Sequence, residues 1–278
     1  MSGTLERLSA FTTDPRGGNP AGVWIGDRLP SPEEMQQIAT EVGFSETAFV
    51  VPSTGSERTI RYYSPETEVS FCGHATIATG VVLGEQGGDG TYQLSTTVGV
   101  VSVSVGTHKG HREASLISVD PSYSAAPESL VTEVLSTLGW QRDELDDDIS
   151  PAKAYAGAWH LVLATADKSR LDALSYDFEM LKALMIREEI TTLQLVWRES
   201  TGIFHARNPF PVGGVVEDPA TGAAAAALGG YLREAKLITT PATFSIRQGE
   251  IMGRPSRIKV EVPVVGGIVV KGNAVRIS

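Results

Sequence analysis

Phe71-Cys72-Gly73-His74-Ala75-Thr76-Ile77-Ala78-Thr79-Gly80 and the later Asp218-Pro219-Ala220-Thr221-Gly222-Ala223-Ala224-Ala225-Ala226-Ala227 share one design. In each, a turn marked by Gly or Pro opens into a run of small and aliphatic residues with almost no charge. A helix that is apolar all round is one enclosed on all sides, and Ala and Gly let the surrounding strands come close. The first amides of a helix lack intrahelical partners and carry the positive end of its dipole. Two such helix mouths facing each other would make a ready site for an anion.

Strand character flanks both helices. Residues 5–11 and 22–25 read as strands around the turn-rich Asp14-Pro15-Arg16-Gly17-Gly18-Asn19-Pro20. Ser31-Pro32-Glu33-Glu34 starts a helix, with Ser31 as N-cap, Pro32 in the first turn and Gly43 as terminator. Strands follow at 44–51 and 59–63 before the first buried helix, and at 92–95, 100–105 and 114–119 after it. Residues 121–127, rich in Ser, Pro and Ala, read as a linker. Beyond it the pattern gives a helix at 128–138, an acidic loop at 143–148, a strand at 158–164, short helices within 171–186 and strands at 191–198 and 202–206. After the second buried helix, at 221–234, come strands at 242–246, 257–262 and 268–277.

Ile60-Arg61-Tyr62-Tyr63-Ser64-Pro65 before the first helix resembles Phe204-His205-Ala206-Arg207-Asn208-Pro209 before the second, which suggests an internal repeat. The expected organisation is an N-terminal domain over residues 1–120, joined by the last strand at about 266–278, and a C-terminal domain over 121–265. A cleft between two similar domains would then receive both helix mouths.

Composition narrows the function. A chain of 278 residues with 41% hydrophobic and 20% charged residues is that of a globular protein with ample core. Its net charge of -10 argues against a nucleic-acid or anionic-membrane partner, which clustered Lys and Arg would serve. No apolar run reaches the length of a membrane span, and Met1-Ser2-Gly3-Thr4-Leu5-Glu6-Arg7 lacks a signal peptide's basic start and apolar centre, so a cytoplasmic location is expected. A single cysteine, Cys72, excludes an internal disulfide framework.

The five histidines show no zinc-like ligand spacing, and neither a phosphate-binding Gly-rich loop nor a Gly-x-Ser-x-Gly elbow occurs. Cys72 beside His74 suggests a thiol nucleophile, although a Cys heading a buried helix more often serves packing. Glu46 is the only ionisable group in its strand. It either faces solvent or points into an apolar cleft, where a carboxyl is harder to charge and is suited to proton transfer. Glu46, His74 and Asp218 are thus the titratable candidates near the proposed cleft, for a proton-transfer enzyme or for a small-molecule-binding protein.

Five segments, in order along nearly the whole chain, resemble the phenazine-biosynthesis PhzF-like isomerase family of the diaminopimelate epimerase-like superfamily. They are Ala10-Phe11-Thr12 leading to Gly18-Asn19-Pro20-Ala21-Gly22-Val23; Phe44-Ser45-Glu46-Thr47-Ala48-Phe49; Ser64-Pro65 through Glu68 to Phe71-Cys72-Gly73-His74-Ala75-Thr76; Gly214 through Glu217-Asp218-Pro219-Ala220-Thr221-Gly222; and Gln248-Gly249-Glu250-Ile251-Met252-Gly253-Arg254-Pro255-Ser256.

The resemblance implies an α+β fold of two similar domains, each an antiparallel sheet rolled around a central helix. It implies that Glu46 is the catalytic base and acid, assisted by His74 and Asp218. Substrate binding would fall to Asn19, Gly73, Thr221 and Gly222, with helix-mouth amides on a carboxylate. Neither metal nor organic cofactor is implied, and the assembly would be a homodimer. Two departures bear on chemistry. Epimerases of the superfamily use two opposed cysteines, whereas this chain keeps Cys72 and has Pro219 at the second position, which argues against two-base inversion. Many relatives have Ser where this chain has Ala223, so the substrate can differ from the dihydro-hydroxyanthranilate of phenazine pathways. The expected activity is a double-bond shift in a small carboxylate-bearing, amino-acid-derived or cyclic metabolite. The alternatives are an epimerase or racemase using Cys72 and a non-catalytic small-molecule-binding protein.

Overall fold

The computed structural model describes residues 3–53, 57–108 and 110–277, so residues 1–2, 54–56, 109 and 278 lie outside the described residues. The chain divides into two units, the first formed by Met1–Ile117 with Lys271–Ser278 and the second by Ser118–Val270.

The first unit contains the strands Gly3–Ala10 (β1), Asn19–Gly26 (β2), Glu46–Pro52 (β3), Glu57–Tyr63 (β4), Glu68–Val69 (β5), Gly90–Thr96 (β6), Gly99–His108 (β7) and His111–Ile117 (β8). Its helices are Pro32–Val42 (α1) and Gly73–Gly87 (α2). Antiparallel pairs join β1 to β2, β3 to β4, β6 to β7 and β7 to β8, while β2 with β3 and β4 with β6 run parallel. The chain's last strand pairs with β1 and with β8, which closes the ring.

The centre of that ring is α2. Eleven successive residues, His74 to Gly84, are buried, so this stretch of the helix has no solvent face, as its uncharged sequence predicts. Gly80 and Gly84 permit the close fit: a Cβ on Gly80 would lie 2.8 Å from Val103 Cγ2, and one on Gly84 2.6 Å from Val105 Cγ1. Outside the ring, α1 starts at the expected N-cap Ser31, which the structure completes as a capping box, with Ser31 N donating to Glu34 Oε2 at 2.8 Å and Glu34 N to Ser31 Oγ at 3.2 Å. Its Met35 and Ala39 pack on Trp24, Phe49 and Tyr63 of the neighbouring strands.

The second unit begins with Ser122–Ala125 (β9), Glu128–Leu138 (α3), Ala152–Tyr155 (β10), Trp159–Thr165 (β11), Lys168–Asp172 (α4) and Phe178–Arg187 (α5). It continues with Thr192–Ser200 (β12), Ile203–Phe210 (β13), Val215–Asp218 (β14), Gly222–Glu234 (α6), Ala242–Gln248 (β15) and Ser256–Val262 (β16). The final strand, Val269–Arg276 (β17), begins in this unit and returns the chain to the first. Pairing runs β9–β10–β11–β12–β13–β15–β16, with β11 parallel to β12 and β13 parallel to β15.

These strands surround α6, whose residues Ala224 to Leu232 are all buried. The outer face is covered differently. Leu161, Leu163, Leu193 and Leu195 pack against Leu130, Val134, Leu181 and Leu184 of α3 and α5. Strand alternation then turns His160, Val162, Thr192 and Gln194 towards α6. The expected linker at 121–127 is instead β9: residues 122–125 pair with β10 from Ala152↔Ala125 to Tyr155↔Ser122, and Pro121 lies where a Cβ on Gly230 of α6 would come within 2.3 Å of it. Its polar, exposed side chains read as a loop because an edge strand needs apolar residues on at most one face.

Candidate active site

In the first unit the site is built from the start of β3 and the head of α2. Cys72 is the N-cap of α2 and makes no side-chain capping bond. Its carbonyl accepts from Thr76 N at 3.0 Å and from Thr76 Oγ1 at 2.6 Å. Thr76 has a single hydroxyl proton, so the 2.6 Å contact with the Tyr62 hydroxyl has Tyr62 as donor. Burial pushes the Tyr62 phenol up, which keeps that proton in place. This buried chain sets the first turn of α2.

On that turn stands His74, 7% exposed. Its Nε2 lies 3.3 Å from Ser45 Oγ and 3.3 Å from Glu46 Oε2, and Cys72 Sγ is 3.4 Å from its Nδ1. The Glu46 contact is close without hydrogen-bond alignment, so Oε2, sealed from solvent, has no hydrogen-bond partner. One donor atom each from Glu46, Cys72 and His74 falls within 4.8 Å of the others, although their separations in sequence carry no zinc-like spacing. Asn19 begins β2, is 2% exposed and pairs with Ala10. Two residues further along β2, Ala21 lies beside Glu46 in the parallel ladder. Gly73 is the first residue of α2.

The second unit has its own cluster. Asp218 ends β14 opposite Asn208, and three residues later Thr221 is the N-cap of α6, which begins at Gly222. Thr221 Oγ1 donates to Asp218 Oδ2 at 2.5 Å. Gln248 holds both ends of this turn: its Nε2 donates to Asp218 O at 2.7 Å and to Thr221 Oγ1 at 3.0 Å, and its Oε1 accepts from Thr221 N at 3.1 Å. The next residue is Gly249 at φ 73°, where a Cβ would sit 2.8 Å from Pro219 O and 2.3 Å from Arg254 O. That explains the Gln-Gly pair of the last sequence segment. Glu217, beside Asp218, pairs with Arg207 at 2.6 Å and with its neighbour fixes the strand.

Sequence reasoning named Glu46 and His74, and the structure brings them together with Ser45 and Cys72; it likewise brings together Asp218, Thr221 and Gln248. Ser45 and Gln248 received no role from the sequence. Their signal was their place inside the motif segments, where one precedes Glu46 and the other precedes a strained glycine.

The family described as "Phenazine biosynthesis-like protein" matches residues 8–278. The chain belongs to this family. It is similar to an uncharacterized isomerase of Deinococcus radiodurans, 32% identical over 267 residues, covering 93% of this chain and 86% of the relative. It is similar also to the trans-2,3-dihydro-3-hydroxyanthranilate isomerase of Pseudomonas fluorescens, 31% identical over 255 residues and covering 90% and 86% of the two chains. As a phenazine biosynthesis-like protein it is an isomerase. Its fold is that of the Bacillus anthracis phenazine biosynthesis protein of the PhzF family, at a TM-score of 0.87 with 24% identity, covering 100% of this chain and 98% of that one. A probable proline racemase from Agrobacterium radiobacter aligns at a TM-score of 0.67 with 14% identity over 100% and 92% of the chains, in accord with a diaminopimelate epimerase-like fold. Among the described residues no helix is long and apolar enough to cross a membrane.

Proposed function

We propose that this isomerase moves a double bond in a small carboxylate-bearing metabolite by proton transfer through Glu46. The observation that carries this reading is the Glu46 carboxylate oxygen that is sealed from solvent, without a hydrogen-bond partner, 3.3 Å from the His74 ring. A carboxylate oxygen that no donor already occupies keeps its lone pairs available to accept a proton from substrate. Glu46 takes a proton from a carbon next to an unsaturated group, the electron pair moves into the π system, and the same carboxyl returns a proton at the far carbon. His74, with Ser45 at 3.3 Å, orients the polar groups of the substrate. The helix-mouth amides at the head of α2, beginning at Gly73, bind carboxylate. The substrate class follows by analogy from the relative named as acting on dihydro-hydroxyanthranilate and extends to other unsaturated amino or cyclic acids. The reaction as written needs no organic cofactor.

A second reading is supported by Cys72 Sγ at 3.4 Å from His74 Nδ1, since a thiol beside an imidazole can act as the base of an epimerase. Pro219 in place of a second thiol weighs against it. Proton NMR in D₂O, with a panel of unsaturated amino and cyclic acids and wild type beside Glu46→Gln, separates the two. Deuterium at a carbon with a displaced double bond, in wild type only, supports the proposal. Deuterium with inversion and no bond shift transfers the reading to Cys72, and saturable binding without exchange refutes both.

A further inference from the structure

Besides proton transfer, the head of α2 has the donor set of a transition-metal site. We infer that Glu46, Cys72 and His74 form a three-ligand site for a thiophilic divalent cation, zinc before others, and that the cation and the isomerisation exclude each other.

The argument is geometric. Zinc holds imidazole nitrogen and carboxylate oxygen at about 2.0–2.2 Å and thiolate sulfur at about 2.3 Å, so tetrahedral edges are about 3.4 Å between N and O and about 3.6 Å between S and N. Here Glu46 Oε2 lies 3.3 Å and Cys72 Sγ 3.8 Å from the same His74 Nε2. Ser45 Oγ, also 3.3 Å from Nε2, borders the fourth position. The sulfur is nearly as close to one ring nitrogen as to the other, at 3.4 and 3.8 Å, so it lies over the imidazole. Coordination therefore requires the ring to turn about its Cβ–Cγ bond until the Nε2 lone pair enters the triangle of donors. A second observation points the same way. Oε2 of Glu46 is sealed from solvent and makes no hydrogen bond, and a cation would provide the compensation that this one oxygen otherwise lacks.

The donor types choose the metal. A thiol and an imidazole do not suit calcium or magnesium, which are hard cations that take oxygen ligands. A thiolate with an imidazole selects zinc and its neighbours. Three protein ligands with one open position is the arrangement of reactive rather than purely structural zinc sites. Once its lone pair is committed to the cation, Glu46 Oε2 cannot accept a proton from carbon. That antagonism rests on the proposed role of Glu46, whereas the binding itself does not.

The test uses chelator-treated full-length protein titrated with Co²⁺ in the absence of substrate, followed by displacement with Zn²⁺. One Co²⁺ per chain should bind with a near-ultraviolet thiolate-to-cobalt band, abolished by Cys72→Ser. Glu46→Gln should weaken Zn²⁺ binding by no less than the roughly 10- to 100-fold typical of losing even an outer-shell partner. X-ray absorption of the wild-type zinc complex needs no variant to fold. Because Cys72 is the only cysteine, its spectrum should show one sulfur at about 2.3 Å among nitrogen and oxygen ligands. A shell without sulfur, a cobalt band that survives Cys72→Ser, or loss of binding on replacing the opposed hairpin residues His108 and His111 by Gln would overturn the site. In the D₂O exchange assay, stoichiometric Zn²⁺ should stop wild-type exchange and a chelator restore it. Full exchange with Zn²⁺ bound would overturn the antagonism while leaving the binding result intact.

Discussion

Acid should destabilise this protein through His160, a residue outside the site. His160 is 0% exposed on β11, its Nδ1 is 2.8 Å from Thr192 Oγ1, and its Nε2 has no partner. Burial pushes its protonated form down to about 3. In the unfolded chain the imidazole titrates near about 6.5, so below that pH the unfolded state binds a proton that the folded state refuses. The sign is therefore a stability intact above about pH 6.5 that falls as pH drops towards 3, with a slope approaching 1.4 kcal/mol per unit. From neutrality to about pH 4.5 this one group removes about 2–3 kcal/mol, a large share of a typical 5–15 kcal/mol. The assay is urea unfolding of wild type and His160→Gln at both pH values. Carboxylates held low by their partners, such as Glu68 by the Arg61 guanidinium, also lose stability in acid, but equally in both proteins. The acid-induced loss should be about 2 kcal/mol smaller in the variant. A difference below about 0.5 kcal/mol, or a His160 ring signal in wild-type NMR that titrates near about 6.5, would refute the reasoning.

Other expectations follow from single contacts. Gly80→Val puts a Cβ 2.8 Å from Val103 Cγ2 and 3.0 Å from Ala114 Cβ, so unfolding free energy should drop by about 1–3 kcal/mol or more, read by denaturant titration. Glu217→Ala leaves the Arg207 guanidinium, 13% exposed, without its carboxylate; about 3–5 kcal/mol should be lost, read by the same titration. Glu46→Gln should keep the melting temperature while turnover falls by about 10²–10⁴. Cys72→Ser should leave the bond shift within about tenfold of wild type, well short of the loss of an acid–base group, and a larger loss would move the chemistry to the thiol.

The enclosed helices were legible without coordinates because an uncharged run of Ala, Gly and Thr admits no solvent face, and α2 and α6 are buried over eleven and nine successive residues. The start and stop of α1 were legible for a similar reason: Ser31, Glu34 and Gly43 act within one turn of the groups they satisfy. Residues 121–127 were misread because strand pairing is not local. Ser122 and Tyr123 become a strand only by finding β10, some thirty residues on.

By itself, then, the sequence determined what depends on neighbours within a few positions: helix burial, caps, the motif segments and with them the family. The tertiary structure alone decided which side chains meet. Glu46 and His74 are 28 residues apart in sequence and 3.3 Å apart in space, and Gln248 reaches back to the Asp218–Thr221 turn across β15. Period-two alternation shows that a strand residue faces one side or the other. Which side holds an imidazole, a thiol or water is settled only when distant strands close around a helix.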